Sequence, residues 1–279
     1  MRPIATRIRR RTGRVVNRHL SARTRRQIEE SRRALLAEVA GERDVTFIPL
    51  RGNRGDELIW AGARSLLRDV DHREIRREDL ASADGSLALV AGSGGWCPDF
   101  NRFAPDVLVE VTERFDRVVL LPSTFVPTDE KVAGVLRSTP ARLYARDRIS
   151  QDLVAPLHPV AVAHDTAFFF DYGPWVRPGS GTLYALRADK ARAVDWEAIG
   201  VDEDANDDIS NTAWNLDQWL WRISGARYVH TDRAHVMIAA AMMGKSVTWY
   251  PTTDHKVQGI AEFGTAGLDL TPGIVARSC

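Results

Sequence analysis

The chain has 279 residues, with 38 Lys and Arg against 37 Asp and Glu for a formal net charge of +1. Its apolar share of 44% and charged share of 27% are ordinary for a globular protein and exclude a collagen, a disordered chain and a disulfide scaffold. No apolar run reaches the roughly eighteen residues that a spanning helix needs, so no transmembrane segment is expected.

The balanced total hides an uneven distribution. Residues 1–33 hold twelve arginines against only Glu29 and Glu30, a local charge of +10 that leaves −9 for the remainder. Residues 1–17 read as irregular. From His19 the spacing of Leu20, Ile28, Leu35, Leu36 and Val39 follows a helical period, closed by Gly41. Residues 1–41 are therefore expected to form a basic arm and a helix lying on the surface, suited to an anionic membrane face. Nucleic acid is not expected, because residues 1–33 have no aromatic side chain to stack on bases. Cys97 and Cys279 make neither a disulfide framework nor a zinc site. With no secretory pattern at the amino terminus, a cytoplasmic protein is expected, peripheral at the inner face of the membrane through its arm.

Beyond Gly41, apolar runs alternate with helical stretches. Strands are expected at Val45–Leu50, Leu87–Ala91, Val118–Leu121, Arg142–Ala145 and Val160–Ala163, with helices near 56–68, 105–114, 129–137 and 148–155. The Gly- and Pro-rich run 171–181 marks a boundary. After it come strands Leu183–Leu186, Tyr228–His230 and Val247–Tyr250, and helices 212–223, 233–243 and 256–263. The pattern is α/β: two Rossmann-like parallel-sheet domains, 42–172 and 173–279, facing a cleft.

In such sheets ligands collect beyond the carboxyl ends of the strands. Thr231, Asp232, Arg233 and His235 follow one strand and open a helix, whose free N–H groups favour an anion. Arg233 adds a two-pronged cation and His235 a proton carrier near neutral pH. Asn53, Gly55 and Asp56 form a strand-to-helix turn that could read sugar hydroxyls, or simply cap the helix. Gly92, Ser93, Gly94 and Gly95 form a Gly-rich turn, Arg146 follows another strand, and Lys256 is one of only four lysines. The run Asp202–Asp208 lacks the Gly and closing Glu of a calcium loop and reads as a solvated loop. No Walker loop, nucleophile elbow or zincin motif occurs.

These motifs, in this order over residues 45–263, resemble the polysaccharide pyruvyltransferase family. Asn53-Arg54-Gly55-Asp56 matches its Asn-x-Gly-Asp element and Gly92–Gly95 its Gly-rich turn. Leu121-Pro122-Ser123 and Ala145-Arg146-Asp147 follow, then Arg233-Ala234-His235 for Arg-Leu-His and His255-Lys256-Val257 for Asn-Lys-Val. Ala234, Asp147 and His255 depart from the family's usual Leu, Glu and Asn. The resemblance implies a GT-B-like fold and phosphoenolpyruvate as donor, with no cofactor and no metal. A sugar or lipid-linked saccharide of a cell-envelope or exopolysaccharide glycan would be the acceptor, and a pyruvate ketal and phosphate the products. It implies His235 and Arg233 as catalytic residues, and Arg146, Arg233, Lys256 and Thr231 as donor-binding residues, all but Arg146 in the carboxyl-terminal half. Asn53, Gly55, Asp56, Ser93, Gly94 and Gly95 would bind the acceptor in the amino-terminal half. The alternatives are a sugar-nucleotide glycosyltransferase of the same fold, with Glu262 on the ribose, and a non-catalytic binding protein.

Overall fold

The structure is a computed structural model that describes residues 20–97, 103–189, 192–265 and 268–273. The arm's first nineteen residues and Cys279 lie outside the described residues. Helix α1 (Ala22–Ala37) is capped by Ser21, whose hydroxyl accepts the N–H of Thr24. Six strands follow, interleaved with helices: β1 (Val45–Ile48), α2 (Arg54–Leu66), β2 (His72–Glu74), β3 (Gly85–Val90), α3 (Phe103–Thr112), β4 (Phe115–Ser123), α4 (Glu130–Ser138), β5 (Arg142–Ala145), α5 (Arg148–Val154) and β6 (Val160–Val162). They pair in the order β2-β1-β3-β4-β5-β6, all parallel. A second parallel sheet, β10-β9-β8-β7, is built from β7 (Thr182–Ala185), α6 (Ile209–Thr212), α7 (Leu216–Gly225), β8 (Tyr228–Thr231), α8 (Ala234–Met242), β9 (Ser246–Trp249), α9 (Lys256–Gly264) and β10 (Leu270–Pro272). Two parallel sheets covered by helices make a GT-B-like α/β architecture.

The central strands are apolar because both faces are covered. Val45, Phe47, Ile48 and Leu87–Val90 are buried among the first cluster, while Val229, Val247 and almost all of α8 fill the second. Two of the four edge strands, β2 and β10, escape the sequence reading. β2 is His-Arg-Glu, half exposed, and β10 ends in a proline; both are compositions that an edge tolerates and a centre does not. The expected helix 212–223 is two pieces, α6 and α7, separated by Ala213–Asn215, with the Asn215 side chain capping the second.

Helix α1 corrects the expectation of a helix lying loosely on the surface. Leu35 and Val39 pack in the first core, Leu20 packs in the second, and Ile28 touches both. The Ser31 hydroxyl is buried against His164, accepting its backbone N–H (3.1 Å) and hydrogen-bonding its Nδ1 (2.7 Å). The arginines of the helix stay outside, Arg26 pairing with Glu30 at the surface. The stretch before α6 is corrected too. Asn206 hydrogen-bonds both the N–H and the carbonyl of Leu186, and Asp208 is buried, so the run docks beside β7 from Asn206 on, while Asp202–Ala205 stay exposed as expected.

Candidate active site

A cavity of about 520 Å³ opens between the carboxyl ends of the two sheets. The amino-terminal half lines it with Arg51, Gly52, Asn53, Gly55, Asp56, Ser93, Gly94, Gly95, Phe103 and Arg146. Arg187, Ser210, Arg233, Ala234, His235 and Lys256 line it from the other half. Eleven of those positions lie within the motifs singled out from the sequence.

Arg146 sits at the end of β5, where the β4–β5 register shifts between Leu120 and Ser123. Its backbone N–H donates to the Ser123 carbonyl at 3.0 Å. Its guanidinium is buried, with Nε donating to Thr124 Oγ1 at 2.7 Å and Nη1 to Asp165 Oδ2 at 2.8 Å. Nη2 has no hydrogen-bond partner among the described residues. A buried, charged donor left unpaired is costly, and this one looks onto the Gly94 turn. A Cβ built at Gly94 would stand 3.5 Å from Arg146 Nη2 and 3.8 Å from Lys256 Nζ. The missing side chain leaves a space between two cations.

Lys256 begins α9 and is buried. Burial pulls its ammonium pKa down, and Asp254, with Oδ2 3.7 Å from Nζ, works against that. The preceding residue anchors it across the cleft. His255 Nε2 lies 2.9 Å from Ser150 Oγ and 3.4 Å from Asp147 Oδ1, and Asp147 caps α5 through the Ser150 N–H. Ala145-Arg146-Asp147 and His255-Lys256-Val257 are thus two halves of one device, which their 110-residue separation hides from sequence reading.

His235, on the first turn of α8, faces Arg146 and Asp165. Its Nε2 is 3.3 Å from Arg146 Nη1 and 3.4 Å from Asp165 Oδ2. Burial alone would raise the Asp165 pKa. Its hydrogen bond with His235, the charge of Arg146 and the Ala167 N–H outweigh burial and hold the carboxyl well below the usual range. Asp165 therefore stays ionised and orients the other two groups. Its position after β6 is visible in the sequence, but its role is not.

Several expected ligands have structural duties. Arg233 lines the cavity, yet it is ion-paired to Asp208 through Nε (2.9 Å) and Nη2 and to Asp189 through Nη2 (3.0 Å). It is a braced cation, not a free clamp. Thr231 is fully buried outside the cavity lining; its hydroxyl donates to the Ala185 carbonyl (2.8 Å) and accepts the Arg233 N–H (3.0 Å). Neither Thr231 nor Asp232 caps α8, since Arg233 holds that position. Asp232 instead accepts the Arg187 N–H at 2.8 Å, and burial pushes its carboxyl up to about 6. Asn53 and Asp56 form a capping box on α2, with Asn53 Oδ1 accepting from the Gly55 N–H and Asp56 Oδ2 from the Asn53 N–H, each at 2.8 Å. They line the cavity with their best acceptors already used. Ser93 Oγ likewise accepts the Gly95 N–H at 3.1 Å. Glu262 lies on the exposed face of α9, bonded to Gln258 and outside the cavity lining.

Sequence reasoning missed Arg187, a buried cation two residues past β7 whose Nη1 pairs with Asp189 at 2.9 Å. The carboxyl-end rule would have found it, since Arg187 follows its strand as Arg146 follows β5. Among the described residues no group of three His, Cys, Asp or Glu is arranged to hold a metal ion, and no helix is long and apolar enough to cross a membrane.

A sequence model of the polysaccharide pyruvyl transferase family matches residues 53–254. No curated protein matches the chain. The crystal structure of a functionally uncharacterised protein from Klebsiella pneumoniae has a similar fold, with a TM-score of 0.69 at 19% identity, covering 88% of this chain and 99% of that one.

Proposed function

Because the chain belongs to the polysaccharide pyruvyl transferase family, we propose that its cleft binds phosphoenolpyruvate and transfers the three-carbon unit onto two hydroxyls of a saccharide, leaving a cyclic pyruvate ketal and phosphate. The observation that carries this reading is the space at Gly94 between Arg146 Nη2 and Lys256 Nζ. The donor carries a phosphate and a carboxylate close together, and a buried pocket with several cations suits it. Arg187 and the braced Arg233 add positive field without needing to touch the ligand.

The reaction adds a sugar oxygen to carbon 2 while a proton goes to the methylene carbon. His235 is the group placed to move it. Its protonated form supplies the methylene proton, and the neutral ring then takes the proton of the attacking hydroxyl. The carbon–oxygen bond to phosphate breaks with its electron pair. The second hydroxyl adds to the same carbon, and its proton leaves with the phosphate. Asp165 keeps the ring oriented between these steps, while Arg146 and Lys256 stabilise the phosphate as its charge grows. The acceptor enters along Arg51, the amino end of α2 and Ser210, and belongs to a cell-envelope or exopolysaccharide glycan. The arginines of residues 1–33 would hold the enzyme electrostatically near an anionic membrane where such glycans are assembled.

The test is phosphate release from phosphoenolpyruvate in the presence of hexopyranosides with neighbouring free hydroxyls, with the ketal identified by NMR. Acceptor-dependent release lost in His235→Gln supports the reading. Thermal stabilisation by a sugar nucleotide, with none by phosphoenolpyruvate, would replace it with glycosyl transfer.

A further inference from the structure

Among the described residues the exposed large aromatic side chains are Trp214, Trp221 and Tyr228, at 81%, 59% and 44% exposure. All three fall within fifteen residues, along α7 and into the start of β8. Their backbone is well held. The Trp214 N–H donates to Gln218 Oε1 at 2.8 Å, and the buried flank of α7 (Trp219, Leu220 and Ile223) fills the second core. Rings this large left in water on a firmly packed element call for an explanation.

Two of the three carry an arginine. The Arg177 guanidinium lies 5.3 Å from the Trp221 ring centre and donates to the Trp221 carbonyl at 3.1 Å; the Arg227 guanidinium lies 5.3 Å from the Tyr228 ring centre. Both arginines are exposed, and neither forms an ion pair among the described residues. Amphipathic rings beside guanidinium groups match the chemistry of a bilayer interface, where Trp and Tyr settle at headgroup depth and Arg meets lipid phosphate. The one acid on the helix, Asp217, is exposed four residues before Trp221 and so shares its flank, where Arg177 and Arg227 outnumber it.

The arm enters the fold beside this half of the molecule. Residues 1–19 contain seven arginines and no acid, and the chain becomes described at Leu20, a member of the same core cluster as Trp219, Leu220 and Ile223. The cleft is also near. Ser210 lines it, and the Ala213 carbonyl, beside Trp214, accepts from Arg54 Nε at 3.0 Å, next to the Asn53 cap.

We propose that the outer flank of α7 with the adjoining Arg177 loop is a membrane-docking face that seats Trp214, Trp221 and Tyr228 in the headgroup region of an anionic bilayer. It extends the electrostatic role given to the arm and rests only on the membrane part of the proposed function, so it is read without turnover. The experiment is co-sedimentation of the full chain with vesicles of phosphatidylcholine alone or mixed with phosphatidylglycerol, at low and high salt, together with quenching of tryptophan fluorescence by brominated acyl chains. Wild type should bind the anionic vesicles and be quenched. The triple variant W214A/W221A/Y228A should keep its melting temperature, lose about tenfold in binding and lose the quenching, since interfacial rings add to an electrostatic hold. R177E/R227E should weaken binding chiefly at low salt. Triple-variant binding equal to wild type would leave the arm alone responsible and overturn the proposal. So would absence of wild-type binding, or retention on an acidic polysaccharide gel without vesicle binding.

Discussion

Arg146 meets three demands at once: it anchors Thr124, pairs with Asp165 and leaves Nη2 open toward Gly94. The open space tests the donor site with little structural damage. A Cβ at Gly94 would make ordinary contacts, none nearer than 3.4 Å, at a residue without positive φ. Gly94→Ala should therefore leave the melting temperature unchanged while raising the KM for phosphoenolpyruvate about tenfold, because the methyl group occupies the space between the two cations. A second residue-scale prediction concerns His164. Burial pushes its pKa down to about 4, and an unfolded histidine titrates near 6.5. Between these values the unfolded chain binds more protons, so stability from this group is full above about pH 6.5 and is lost as pH falls toward 4. Asp232, raised by burial to about 6, acts in the opposite sense over part of that range, so the comparison must be with His164→Asn. Denaturant unfolding from pH 7 to 4 should show wild type losing on the order of 2–3 kcal/mol more than the variant.

At the scale of elements, the site depends on how closely α2 approaches α8. A Cβ at Gly55 would fall 2.8 Å from His235 Nδ1 and 3.1 Å from its Cβ, so only glycine lets the helix start this near the ring. Gly55→Ala should lower kcat about tenfold or more by displacing His235, with less effect on the KM for phosphoenolpyruvate; steady-state kinetics over both substrates would show it. The Asn53–Asp56 turn was legible as a turn and as a cap, because capping chemistry is local. Its meeting with His235, 180 positions along the chain, was not. For the same reason Arg146 and Lys256 could be named singly, whereas the His255–Asp147–Ser150 contact that joins them depends on long-range packing. Arg233 shows the opposite failure. Its place after β8 was readable, but its partners were not: Asp208 comes from the run that read as a solvated loop, and Asp189 from the stretch just after β7.

For the whole molecule, alternation of apolar and amphipathic runs carried most of the architecture, because buried parallel strands have a strong sequence signal. Two of the four edge strands, β2 and β10, have no such signal. The helix α1 pattern was visible, while its place between the two cores was not, since a charged outer face conceals a short apolar stripe that runs from Leu20, just before the helix, through half-buried Ile28 to buried Leu35. That stripe gives the helix a structural role separate from the arm before it. Removing residues 1–19 should leave the melting temperature and donor affinity intact. Leu35→Ala should cost about 2–4 kcal/mol, as truncation of a buried leucine does, measurable by chemical denaturation. The central claim is that the cationic cleft is a phosphoenolpyruvate site, and calorimetric titration of the donor into wild type and Arg146→Lys tests it most directly. Wild type should bind saturably and the variant at least about tenfold more weakly, since lysine keeps the charge but lacks the second guanidinium prong. Equal affinity in the two proteins, or heat from a sugar nucleotide and none from phosphoenolpyruvate, would contradict it.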